Sequence, residues 1–172
     1  MDRFDAVILV GHGGIASDTP PELVAELKRL ARERERGGDS TPSAREAELD
    51  RTIRTWPRSD VSDPYKHGLE AIGRELAPRI APRRLVVAYN EFCAPSVDDA
   101  IDRLVADGAA TITLATTMFT PGGSHAEVDI PNLVRAAAAR HPEVRIGYAW
   151  PYDVEGIAEF LARHLARRSD VR

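Results

Sequence analysis

Apolar residues along the chain follow two alternating patterns. Short continuous runs at residues 6–10 and 85–89 read as strands buried on both faces. Residues 111–118, rich in threonine and β-branched side chains, and residues 144–149 read as two further strands. Between them, apolar positions recur every three or four residues, the spacing of one helix face. Leu23, Leu27, Leu30 and Ala31 mark a first helix, opened by Thr19-Pro20-Pro21-Glu22 as a capping box with proline in the first turn. Ser96-Val97-Asp98-Asp99 opens a second, with Val97, Ile101, Leu104 and Val105 inward. Pro131 opens a third, with Leu133, Val134, Ala137 and Ala138 inward. Asp153 caps a last helix whose buried stripe is Val154, Ile157, Ala158, Leu161 and Leu165. The order predicts an α/β fold: an open four-stranded parallel sheet, wound like flavodoxin, with helices on both faces.

One stretch breaks the rhythm. About 45 residues separate the first helix from the second strand, too many for an ordinary connection. The charged residues 32–36 lead into Gly37-Gly38-Asp39-Ser40-Thr41-Pro42. Ser43-Ala44-Arg45-Glu46 then caps a short helix, and Asp63-Pro64 starts a longer one with Leu69, Ile72, Leu76 and Ile80 on one face. The expectation is a helical insertion at about 37–83 within one domain spanning residues 1–172.

Composition narrows the class. With 43% hydrophobic and 29% charged residues, the chain reads as globular. A net charge of −4 gives no sign of a nucleic-acid protein. The single cysteine, Cys93, excludes a disulfide framework or a four-cysteine zinc site within one chain. The apolar runs fall short of the roughly 20 residues that a membrane helix needs. The first residues lead straight into a strand, so no secretory leader is expected. The expected setting is the cytoplasm, with Cys93 reduced.

Ligands of open parallel sheets bind beyond the carboxyl ends of the strands. Gly11-His12-Gly13-Gly14 follows the first strand, and Asn90-Glu91-Phe92-Cys93-Ala94-Pro95 the second. Phe119-Thr120-Pro121-Gly122-Gly123-Ser124-His125 follows the third, and Trp150-Pro151-Tyr152 the fourth. Two histidines and one carboxylate therefore gather at one rim, a set that can hold a divalent metal while leaving positions open. Each also has a plainer reading. His12 fills space in a phosphate-binding turn, His125 touches loop backbone, and Glu91 pairs with an arginine at the sheet end. His141 suits a helix C-terminus, His164 a solvated helix face, and Cys93 a small buried filler. His67, in the insertion, is a candidate lid residue, and Asp129 a helix-start carboxylate.

Together, Gly11-His12-Gly13, Glu91 with Pro95, and Gly123-Ser124-His125-Ala126-Glu127-Val128-Asp129-Ile130-Pro131 resemble the sirohydrochlorin cobaltochelatase/ferrochelatase family. These are the class II chelatases of cobalamin and siroheme synthesis. The resemblance covers roughly residues 5–31 and 84–150. It implies a chelatase-like fold of the short, single-domain type, working as a homodimer. It assigns His12 and His125 as metal-binding and catalytic histidines, with Glu91 as their carboxylate partner. The implied reaction inserts Co²⁺ or Fe²⁺ into a metal-free tetrapyrrole without ATP. His₂Glu ligation is equally compatible with Ni²⁺ and Zn²⁺. Sirohydrochlorin carries eight carboxylates, which makes Arg54 and Arg58 of the insertion candidate partners. Gly14 and Ile15 stand where many members have Ser-Arg. That departure motivates an alternative, a non-catalytic metal or tetrapyrrole carrier.

Overall fold

The computed structural model describes residues 3–39 and 41–168. Four strands, β1 (Phe4–Gly11), β2 (Arg84–Tyr89), β3 (Ala109–Thr116) and β4 (Arg145–Tyr148), pair in parallel in the order β2-β1-β3-β4. This is the expected open α/β sheet with flavodoxin-like winding. The helices are α1 (Pro21–Gly37), α2 (Ala44–Arg54), α3 (Pro64–Leu76), α4 (Val97–Ala106), α5 (Ile130–Arg140) and α6 (Val154–Arg167).

Alternate strand residues point to opposite faces. On one face Ala6, Ile8, Val10, Ala88, Ile112 and Leu114 pack under Val97, Ile101 and Leu104 of α4 and Ile130 and Ala137 of α5. These form the main core. On the other face Leu9, Val87 and Tyr89 pack against Leu69 and Leu76 of α3. The stretch expected as an insertion, residues 37–83, thus supplies a covering helix for the second face. Ile72, expected inward, is 53% exposed; Gly73 takes the inner position, where a Cβ would press on Val87 and Leu85. Ile80 lies beyond the end of α3, past a short 3₁₀ turn, so it shares no helix face with Leu69.

The caps behave as expected at four helices, α6 with Asp153 among them. Ser43 accepts from the Glu46 amide, Asp63 from the Lys66 amide, and Ser96 with Asp99 forms a full capping box on α4. The Thr19–Glu22 box does not form. Pro20 occupies the cap position of α1, and the Thr19 hydroxyl is buried without a partner. The stripe of α1 packs with α2 rather than over the sheet: Leu23, Leu27 and Leu30 meet Leu49 and Ile53 in a satellite cluster.

The largest departure is α6. Asp153 caps it as read, but none of its residues is buried. Val154, Leu161 and Leu165 are 74%, 51% and 69% exposed. Ala158 is also exposed, and Ile157 is half-buried. The periodicity correctly reported an apolar face, but nothing among the described residues covers it. Thr111, Thr113 and Ala115, on the face of β3 away from α4, are likewise only half-buried. Among the described residues, no helix is long and apolar enough to cross a membrane.

Candidate metal centre

The carboxyl ends of β1 and β2 are joined beyond the ladder. Asn90 donates its amide to the Gly11 carbonyl at 2.9 Å, and Glu91 donates to the His12 carbonyl at 2.8 Å. The two loops approach closely because Gly13 has no side chain: its φ is +90°, and a Cβ there would overlap the Glu91 carbonyl oxygen. From the far side of β1, Thr117 donates to the Val10 carbonyl at 3.0 Å, which sets the start of the loop carrying His125.

These constraints bring His12, Glu91 and His125 together. One candidate ligand atom from each lies within 4.8 Å of the others, and all three residues are half-buried. His12 Nε2 stands 4.0 Å from Glu91 Oε2. The histidine rings meet edge to face, with centroids 4.7 Å apart. A first-row metal with bonds of about 2.1 Å needs its ligand atoms roughly 3–3.5 Å apart. The set would therefore close by about 1 Å around an ion.

Each imidazole is held from behind. His12 Nδ1 lies 2.7 Å from the Gly13 carbonyl, so Nδ1 donates and, in the neutral ring, Nε2 presents its lone pair. His125 Nδ1 lies 2.6 Å from Asp129 Oδ2, and the Asn90 carboxamide reaches the same nitrogen at 3.0 Å. Residues His125–Asp129 form a single π turn before α5. It brings Asp129, four residues on, under the imidazole. Asp129 makes no side-chain cap bond to α5, so the helix-start reading is replaced by an orienting role. Asn90 was passed over in the sequence because its contact with His125 exists only across two loops. The His125–Asp129 spacing was the one local signal.

The remaining candidates fall elsewhere. His67 is exposed on α3 and lies outside the cluster. His164 is exposed on α6. His141 caps the end of α5 and meets Asp102 at 2.8 Å, which holds the Asp102 carboxyl below its ordinary range. Cys93 is fully buried among Leu9, Leu69 and Tyr89, and burial pushes its thiol pKa up. Arg54 and Arg58 are both paired within the chain. Arg54 pairs with Asp50 at 2.7 Å, and Arg58 is buried against Asp63. Phe119, Trp150 and Tyr152 continue the same rim as an aromatic series, with centroids 5.3 Å apart for Phe119–Tyr152 and 5.7 Å for Trp150–Tyr152. Tyr152 is anchored by its hydroxyl to the Thr116 carbonyl at 2.6 Å.

Fold and site together define an open parallel α/β domain with a candidate His₂Glu metal centre on its carboxyl rim. The CbiX family model matches residues 62–169, more than half of the chain, and the chain belongs to the CbiX family. The match includes Glu91 and His125 and begins beyond His12. Two solved structures share the fold. The sirohydrochlorin chelatase SirB from Bacillus subtilis subspecies spizizenii, in complex with cobalt, matches with a TM-score of 0.50 at 18% identity, over 86% of this chain and 43% of that one. SirB from Bacillus subtilis with Fe³⁺ matches with a TM-score of 0.50 at 18% identity, over 96% of this chain and 48% of that one. The chain thus spans about half the length of these structures. No curated protein matches it.

Proposed function

We propose that this protein is a metal chelatase that inserts Co²⁺ or Fe²⁺ into sirohydrochlorin or a related tetrapyrrole, and that residues 1–172 act as one chelatase-like domain. The observation that carries this reading is the convergence of His12, Glu91 and His125 within 4.8 Å on an open rim, in a member of the CbiX family. Two neutral imidazoles and a carboxylate hold a borderline divalent ion without enclosing it. A substrate metal has to leave, so an incomplete shell suits the task. Insertion releases two protons from ring nitrogens. An imidazole displaced from the departing metal is a suitable acceptor near neutral pH. Phe119, Trp150 and Tyr152, packed edge to face beyond β3 and β4, add apolar surface to the same rim, suited to contact with a macrocycle.

Two copies are proposed to pair. The exposed stripe of α6 is an apolar face that a lone chain leaves in water. The matched SirB structures are about twice as long as this chain. The proposed setting is the cytoplasm, where a thiol such as Cys93 stays reduced.

The test is anaerobic incubation with sirohydrochlorin and Co²⁺, followed by absorption against a no-enzyme control. Multiple turnovers above the control are expected. A tetrapyrrole that binds stoichiometrically without conversion would replace this reading with a carrier.

A further inference from the structure

Residues 37–83 touch both loops that carry His12 and Glu91. Arg58 is the centre of this contact. Its guanidinium is 5% exposed and pairs with Asp63, itself 2% exposed. One nitrogen also donates to the Gly14 carbonyl at 2.8 Å. The other donates to the Ile53 carbonyl at 3.1 Å and to the Phe92 carbonyl. Gly14 follows His12 by two residues, and Phe92 directly follows Glu91. A single planar group thus ties the chain just beyond one candidate ligand to the chain just beyond another. Phe92 sits at a φ of +52°, a left-handed conformation that a side-chain-bearing residue keeps only when its surroundings impose it.

Tyr65, in the first turn of α3, acts on the same loop from outside. Its hydroxyl accepts the backbone amide of His12 at 2.8 Å. Gly11 lies directly beneath, where any Cβ would overlap Leu69 and crowd the Tyr65 hydroxyl. Two backbone bonds complete the attachment: Ser17 donates to Ser62 at 2.8 Å, and Ala94 donates to Arg54 at 3.1 Å.

We infer that Arg58 and Tyr65 are positioning residues of the metal centre: the insertion fixes the His12 and Glu91 loops from behind and so sets metal affinity. This rests on the His₂Glu reading above. A buried guanidinium suits the role because its fork reaches several carbonyls at once while Asp63 neutralises its charge. Lysine at this position would keep the charge and lose the span.

The experiment titrates the full-length protein with Co²⁺ alone, anaerobically, following the visible absorption of bound cobalt. The panel is wild type, Tyr65→Phe, Arg58→Lys and Leu104→Ala. Leu104→Ala removes a core side chain far from these loops and controls for lost stability. Thermal midpoints are recorded for all four. Expected results are Co²⁺ binding about fivefold weaker in Tyr65→Phe, the loss of one ordinary hydrogen bond, and at least about tenfold weaker in Arg58→Lys. Leu104→Ala should melt earlier and bind as wild type does. Tyr65→Phe retains the fold and keeps the test decisive if Arg58→Lys does not fold. Wild-type affinity in Tyr65→Phe overturns the role of Tyr65. Wild-type affinity in a folded Arg58→Lys overturns that of Arg58. A wild-type protein that binds no Co²⁺ overturns the metal-centre reading itself, and this inference with it.

Discussion

The imidazole of His125 stands edge-on to that of His12, with interplanar angle 85° and ring centroids 4.7 Å apart. The two rings come from the loops after adjacent strands β1 and β3, one from the turn after β1 and one from the π turn before α5. Each has Nδ1 engaged by an oxygen, Gly13 for His12 and Asp129 for His125. In the neutral imidazole, an Nδ1 that donates to oxygen leaves the Nε2 lone pair for a metal. A pair of histidines prepared in this way is a pair of metal donors. His12→Ala and His125→Ala should each lower metal insertion by more than about 100-fold, exceeding the loss typical of an outer partner. Their side chains are 42% and 27% exposed, so folding stability should change by no more than about 1 kcal/mol. Steady-state kinetics with a thermal melt on each variant checks both statements. Normal turnover in either variant would remove the histidines from the mechanism.

Asp129 holds His125 at 2.6 Å through a carboxylate 43% exposed to solvent. Asp129→Asn keeps an acceptor but loses the charge that raises the donor strength of the imidazole. Co²⁺ affinity is expected to fall about tenfold, and further in Asp129→Ala. Unchanged Co²⁺ titrations would return Asp129 to a helix-start role.

The apolar stripe of α6 predicts a mass. Wild type should scatter light as twice 18.9 kDa, and a Leu161→Asp, Leu165→Asp variant as 18.9 kDa. The variant should remain folded, because neither leucine is buried in the single chain. A wild type already at 18.9 kDa would exclude pairing.

Asp102 carries a pH signature. Its hydrogen bond to His141, and then that to Arg140, holds its carboxyl below the ordinary value. A carboxyl depressed on folding contributes stability that is present above its unfolded pKa. That contribution is lost as pH falls through the folded value. Wild type should therefore lose thermal stability on acidification below about pH 4. Asp102→Asn should show a shallower acid loss and match wild type more closely at low pH. Parallel melting curves at every pH would contradict this. The side chain is 54% exposed, so the effect is expected to be small.

Sequence alone determined the strands, their order of use and the rim. Four apolar runs, separated by amphipathic segments, leave few parallel arrangements. Strand ends then place the loops holding His12, Glu91 and His125 on one side. Local caps at Ser43, Asp63, Ser96 and Asp153 were legible because a cap bond spans only two or three residues. Tertiary structure decided the rest. Periodicity reports that a face is apolar but not what covers it. The stripe of α1 therefore went to α2, and that of α6 met no cover among the described residues. Composition reports an arginine but not its partner. Arg58 was a candidate for substrate carboxylates until the fold enclosed it between Asp63 and the carbonyls of Gly14, Ile53 and Phe92. Asp129 meets His125 Nδ1 within one π turn, but Asn90 reached the same nitrogen only when β2 and the turn before α5 were brought to the same rim. Such contacts join residues distant in the chain, and the pairing that makes them is set by packing.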